Sequence, residues 1–270
     1  CANNQLTTLN LTGLTNLISL DFSYNNLTLA NIGGLSPNLK TLICVSNNLT
    51  SLDVSNLPNL ETLNCYANEL TSLDVSSLTN LKYLDFAQNQ ISSIDISNLT
   101  LLETLNCGRN QLTDLNIFGL NNLKILYCDE NQLTSLDLTN HQNLTNLSYS
   151  NNVIPDLNVN HLTNLTSLNC ANTQSATLDI SNLTKLQLLH CQENQLTTLD
   201  VNNSPFLNVL VCNNNQLVTL FMKNGKAEQN INFSNNPTLE YICADNNQLQ
   251  TIQTTLNGLG MNATVTNSYC

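Results

Sequence analysis

Apolar and polar residues follow one another along the chain in two alternating half-units. In the stretch LETLNCYANELTSLDVSSLTN, which begins at Leu60, the first half reads LxxLxC. Strict alternation over so few residues predicts a short strand with one buried face, so Leu60, Leu63 and Cys65 point inward while Thr62 and Asn64 point outward. The second half alternates again, with Leu70, Leu73 and Val75 inward and Asp74 and Ser76 outward. It predicts a second short extended segment on the opposite side of the same turn of chain. Leu78 then leads into the next copy at Leu81.

The copies are in register almost throughout. One anchor position, two residues after the second Leu, is held by Cys1, Phe22, Cys44, Cys65, Phe86, Cys107, Cys128, Tyr149, Cys170, Cys191 and Cys212. The spacing is 21 residues at every step except 22 between Phe22 and Cys44. A single unit of this size cannot bury its own apolar face, so the copies must stack into a coil with a continuous core. Equal positions then become rows. Asn25, Asn47, Asn68, Asn89, Asn110, Asn131, Asn152, Asn194 and Asn215 form one such row at a fixed turn position. A carboxamide there can bond backbone groups through both its oxygen and its nitrogen, and this predicts a structural asparagine ladder.

The pattern LxxLxCxxNxLTxLDVSxLxx resembles the leucine-rich-repeat family, in its short 21-residue bacterial variety, over residues 1 to about 250. The ending YICAD…NSYC is similar to that of secreted leucine-rich-repeat proteins of Bacteroidetes-type bacteria. The resemblance implies a β-rich repeat solenoid with parallel strands on one face, and a role in binding proteins or other macromolecules. Two domains are expected: residues 1–250 as about twelve turns of solenoid, and 251–270 as a cap with a small helix and a closing strand. The first repeat lacks its leading LxxLx half, and the start is read as a processing boundary, with a lipid-modified mature N-terminal cysteine as the rival reading. A hairpin insertion is expected near 220–231, because Leu220 and Ile231 both fit one repeat position. Thr173, Ser175, Pro155 and His141 break the pattern, predicting looser packing or altered curvature over 141–177.

Composition narrows the function. Charged residues make up only 10%, so Asn, Thr and Ser must coat the surface, and the net charge of −12 excludes a nucleic-acid footprint. No apolar run of membrane length occurs, so no membrane insertion is expected. Eight cysteines take the anchor position, where Phe and Tyr alternate with them, so they read as buried hydrophobes with free thiols. Cys243 and Cys270 lie off that row and flank the cap; a disulfide between them would staple it and place the protein in an oxidising, extracellular setting.

The outward strand positions offer the candidate binding face. Lys40, Glu61, Lys82, Glu103 and Lys124 alternate in charge and should neutralise one another. Tyr83, Ile125, Tyr127, Leu188, His190, Val209, Val211 and Tyr241 form the candidate patch, since contiguous apolar and aromatic surface marks interaction sites. No catalytic motif and no CxxC or Cys/His metal cluster is present, so neither an enzyme nor a cofactor is expected. A weak calcium alternative rests on Asp53, Asp74 and Asp95 in consecutive repeats, against the simpler reading of each Asp bonding its own turn. The expected function is therefore a monomeric, secreted or cell-surface recognition or adhesion module for a protein or surface glycan. The alternative is a structural stalk or surface-array protein, with ice binding by its Thr and Ser rows a minor form of it.

Overall fold

The computed structural model describes residues 1–11, 13–32 and 34–268. The chain forms two units, Cys1–Asn143 and Leu144–Cys270. In the first, strands β1 (Ser19–Asp21), β2 (Thr41–Ile43), β3 (Thr62–Asn64), β4 (Tyr83–Asp85), β5 (Thr104–Asn106) and β6 (Ile125–Tyr127) pair in parallel in chain order. Each strand is three residues long because the alternation itself lasts no longer: the central Leu is buried and its neighbours are less so, Asp85 of β4 being the buried exception. Leu63, for example, faces Leu42 on one side and Leu84 on the other. This is a parallel-strand coil of the leucine-rich-repeat type, as the pattern predicts.

The second unit repeats the arrangement with β7 (Asn146–Ser148), β8 (Ser167–Asn169), β9 (Leu188–His190), β11 (Val209–Val211) and β13 (Asn230–Asn232). It also carries a second parallel sheet on its other side, made of β10 (Thr198–Asp200), β12 (Thr219–Met222), β14 (Tyr241–Ala244) and β15 (Thr264–Thr266). In the first unit the corresponding half-repeats are extended without ladder pairing and run into turns at 55–56, 76–77 and 97–98. There Asp53, Asp74 and Asp95 each accept the backbone N–H two residues on.

The rows behave as the repeat implies. The anchors from Phe22 to Cys212 are all buried, and Phe233 continues them. Cys1 departs from expectation: it is exposed, with Sγ 3.7 Å from Asp21 O. Asn25, Asn47, Asn68, Asn89, Asn110, Asn131, Asn194 and Asn215 each bridge two coils. Asn89 Oδ1 accepts the Leu70 N–H at 2.9 Å, while Nδ2 donates to Phe86 O (2.9 Å), Cys65 O (3.1 Å) and Ala87 O (3.3 Å). Just before each Asn the chain passes through the left-handed region, at Ala67 (φ 54°), Gln88 (55°) and Arg109 (53°) among others. That conformation costs a non-glycine residue about 1–2 kcal/mol, and the ladder bonds offset it.

Where Thr173 replaces the ladder Asn, packing is not loosened. Thr173 and Ser175 are buried, and Asn194 Oδ1 accepts both their N–H groups as well as the Thr173 hydroxyl. Asp156 closes the same region by accepting the Ala176 and Thr177 N–H groups at 3.0 and 2.9 Å.

Two expectations near the end are overturned by register. Leu220 pairs with Leu199 in one sheet and Ile231 with Leu210 in the other, each 21 residues apart. No insertion is present, and β12 and β13 do not form a hairpin with each other. The chain only bends at 224–226, with Gly225 at φ 82°. Likewise Ile242 pairs with Leu220, so Tyr241–Ala244 belongs to the second sheet, and Asn236 carries the ladder with Nδ2 on Phe233 O at 2.9 Å. Cys243, expected to face outward, is buried; the disulfide expected between Cys243 and Cys270 falls on Cys270, which lies outside the described residues.

The cap forms as the sequence predicts, with helix α1 (Leu249–Leu259) ending at Gly260 (φ 67°) and followed by β15. Buried Ile252 and Leu256 hold the helix to the coil. Glu228 adds a polar fastening: it accepts Asn224 Nδ2 at 2.7 Å and Nε2 of Gln248, the residue just before the helix. Burial pushes the Glu228 carboxyl above its ordinary range, and nearby Asp245 acts in the same direction. A group whose folded pKa is raised stabilises fully below its unfolded pKa and loses that contribution as pH rises through the folded value. Hydrogen-exchange protection of the α1 amides, corrected for intrinsic rates, should therefore be higher at about pH 4.5 than at about pH 8. Glu228→Gln should flatten that difference.

Candidate functional site

The outward strand positions form two rows, the residue before and the residue after each buried Leu. In the first unit these rows bring Tyr83, Thr104 and Ile125 into line, and beside them Asp85, Asn106 and Tyr127. All but Asp85 are half-buried, with one edge of each side chain in solvent. Asp85 is buried among them: it accepts the Ala87 N–H at 3.0 Å, Asn106 Nδ2 at 3.2 Å and the Tyr83 hydroxyl at 3.3 Å. Burial raises its carboxyl pKa above the usual range, while these donors work against that rise. The Tyr83 hydroxyl is pushed up to about 12 by burial and by the Asp85 charge. Asp85 and Asn106 were not singled out from sequence, because the position holds Asn in neighbouring repeats and reads there as ordinary strand surface.

In the second unit Leu188 lies beside Val209, and His190 beside Val211. The four make a contiguous half-exposed patch on β9 and β11. Burial lowers the His190 pKa, which favours the neutral imidazole and keeps the patch weakly polar. Tyr241 does not join it. It sits in the second sheet, where its ring lies 6.2 Å from that of Phe221 and its hydroxyl donates to Ser268 O at 2.8 Å. Tyr241 thus fastens the cap rather than lining the binding face.

The charged row is paired as expected. Lys40 and Lys82 both reach Glu61, at 2.7 and 2.9 Å, and Lys124 reaches Glu103 at 2.7 Å. The two lysines hold the Glu61 carboxyl down to about 2. These pairs are solvent-exposed, so they contribute little to stability and mainly cancel the local field. On the other side of the coil, Asp53 also accepts the Ser55 hydroxyl at 2.7 Å. Hydrogen bonds from the following serine lower the pKa of Asp53, Asp74 and Asp95. One oxygen of each, Oδ1, is thus engaged by its own turn. Among the described residues no group of three or more His, Cys, Asp or Glu is placed to hold a metal, and no helix is long and apolar enough to cross a membrane. His190 is half-exposed while its neighbour Cys191 is fully buried, so the two do not face each other.

Comparison with known proteins agrees with this geometry. Residues 37–78 and 79–120 match the family model described as Leucine Rich repeats (2 copies). The functional domain of InlJ from Listeria monocytogenes, which includes a cysteine ladder, is similar at 32% identity and a TM-score of 0.75. The match covers 90% of this chain and 57% of that one, so the chain spans little more than half its length. A leucine-rich-repeat protein of Leptospira interrogans is 26% identical with a TM-score of 0.74, covering 93% of this chain and 72% of the other. The internalin InlF of Listeria monocytogenes is 27% identical with a TM-score of 0.64, over 86% and 81% of the two chains. No curated protein matches the sequence. Fold, repeats and neighbours together define a leucine-rich-repeat coil of the kind found in these bacterial proteins.

Proposed function

We propose that this protein is a non-enzymatic recognition module, exported to the cell surface or beyond, that binds a protein partner through the outward face of its parallel strands. The observation that supports it most directly is the patch Leu188, His190, Val209 and Val211: four adjacent outward positions with no charged group, where the neighbouring strands β8 and β13 present Ser and Asn. Half-exposed apolar and aromatic side chains on a rigid sheet lose little conformational entropy when covered, which lowers the cost of binding. In the first unit Tyr83, Ile125 and Tyr127 offer the same chemistry. Export is supported by the resemblance to secreted proteins and by the cysteine pair Cys243 and Cys270 in the sequence.

Tyr127→Asp and Val211→Asp should each weaken binding to immobilised cell-surface protein preparations by about ten- to a hundredfold, measured by surface plasmon resonance. Both positions are half-exposed, so the melting temperature should hardly move. Undiminished binding in both variants excludes this face.

A further inference from the structure

A groove of about 730 Å³ runs along the first unit where the chain enters its strands, beside the sheet face rather than on it. Asn59 and Asn80 line it, together with the Lys40–Glu61–Lys82 chain of ion pairs. Asn59 Nδ2 donates to Pro37 O and Asn80 Nδ2 to Pro58 O, both at 3.0 Å. Each carboxamide is thereby held by its nitrogen, and neither Oδ1 is bonded among the described residues. At the two ends the repeat pattern is broken by apolar residues. Ile18 stands where the row otherwise holds Lys or Glu, and Leu101 where it otherwise holds Asn; they are 60% and 44% exposed. Ile18 and Leu101 are four coil steps apart, on the order of 19 Å at about 4.8 Å per step.

We propose that this groove binds a neutral, linear, β-linked glycan about four sugars long. A hydroxyl both donates and accepts, and here acceptors (Asn59 and Asn80 Oδ1, Glu61) and donors (the Lys40 and Lys82 ammonium groups) alternate from coil to coil. One coil step is close to the length of one sugar in an extended chain, so each successive ring lies over the next coil's polar groups. The apolar ends suit the C–H faces or acetyl methyls of the terminal rings. A peptide adding as a further strand is disfavoured, because the backbone N–H groups of Lys40, Glu61 and Lys82 are already bonded to Ile18, Lys40 and Glu61 carbonyls at 2.8–2.9 Å. The ion pairs leave little net field, and the chain's overall charge of −12 repels polyanionic sugars.

The test is a titration of ¹⁵N-labelled protein with the β-1,4-linked pentamers of glucose and of N-acetylglucosamine. The side-chain amide signals of Asn59 and Asn80 should shift saturably with at least one of them. Ile18→Lys combined with Leu101→Asn, both at exposed positions, should weaken that binding at least tenfold at an unchanged melting temperature. The proposal is overturned if neither pentamer moves those signals at millimolar concentration, or if the double variant binds undiminished. It does not rest on the sheet face: Tyr127→Asp should leave the sugar titration as it is. Sugar binding lost in Tyr127→Asp and kept in the groove variant would also overturn it.

Discussion

Replacing Asn89 with alanine is expected to lower the unfolding free energy by about 3 kcal/mol, read from urea denaturation. The change orphans the buried Leu70 N–H, whose acceptor is Asn89 Oδ1 at 2.9 Å. An unpaired buried donor alone costs about 1–3 kcal/mol. The three carbonyls that Nδ2 serves are affected less, since Cys65 O, Phe86 O and Ala87 O each keep another donor in Asn68, Asn110 and the Ala67 N–H. The lost side-chain volume and these weakened bonds make up the remainder. Asn89→Asp separates the two halves of the argument. It keeps an acceptor for Leu70 but turns a carboxylate toward three carbonyl oxygens, which raises its pKa. Its stability deficit should therefore shrink as pH falls and the acid regains a proton to donate. An Asp variant as stable as the wild type at neutral pH would show that the amide nitrogen contributes nothing.

The seven buried thiols should be almost inert in the folded protein. Burial pushes Cys170 and Cys212 up to about 12, about three units above an ordinary thiol, and Cys44, Cys65, Cys107, Cys128 and Cys191 are raised in the same direction. Only the thiolate attacks a disulfide reagent, so a rise of this size cuts the reactive fraction about a thousandfold before access is considered. Reaction with an aromatic disulfide at about pH 8 should thus label exposed Cys1 quickly and the seven others only as the coil unfolds. Rapid labelling of any of the seven under native conditions would place that thiol in contact with solvent and break the row. The expectation that burial keeps these cysteines reduced comes from geometry as well as acidity: parallel side chains on stacked strands do not converge as a disulfide requires.

Most of this architecture was legible in the sequence because a strict period converts position into environment. The anchors, the asparagine ladder and the Lys–Glu row all followed from a 21-residue spacing. What failed was assignment near the end, and the reason is the similarity of the two half-repeats. LxxL occurs in both, so Leu220 and Ile231 fit one template although they lie in different sheets. That ambiguity created the apparent insertion, moved Tyr241 to the wrong side and hid Asn236 as a ladder member. The anchor Phe233 would have resolved it, lying 21 residues after Cys212. The site was less legible than the fold. Asp85 differs from Asn64 and Asn106 by one atom type, and only burial shows that its charge is costly there. The groove was invisible because its walls are residues that read singly as turn and surface.

The ladder also bears on how such a molecule can change length. Each asparagine fastens its own coil to the one before it and to nothing further away, as Asn68, Asn89 and Asn110 show in turn. Excising or duplicating one whole period would hand every remaining carboxamide an equivalent set of partners. Reach is thus a variable that gene duplication can adjust without redesigning the interior, while the side chains displayed on either flank diversify independently.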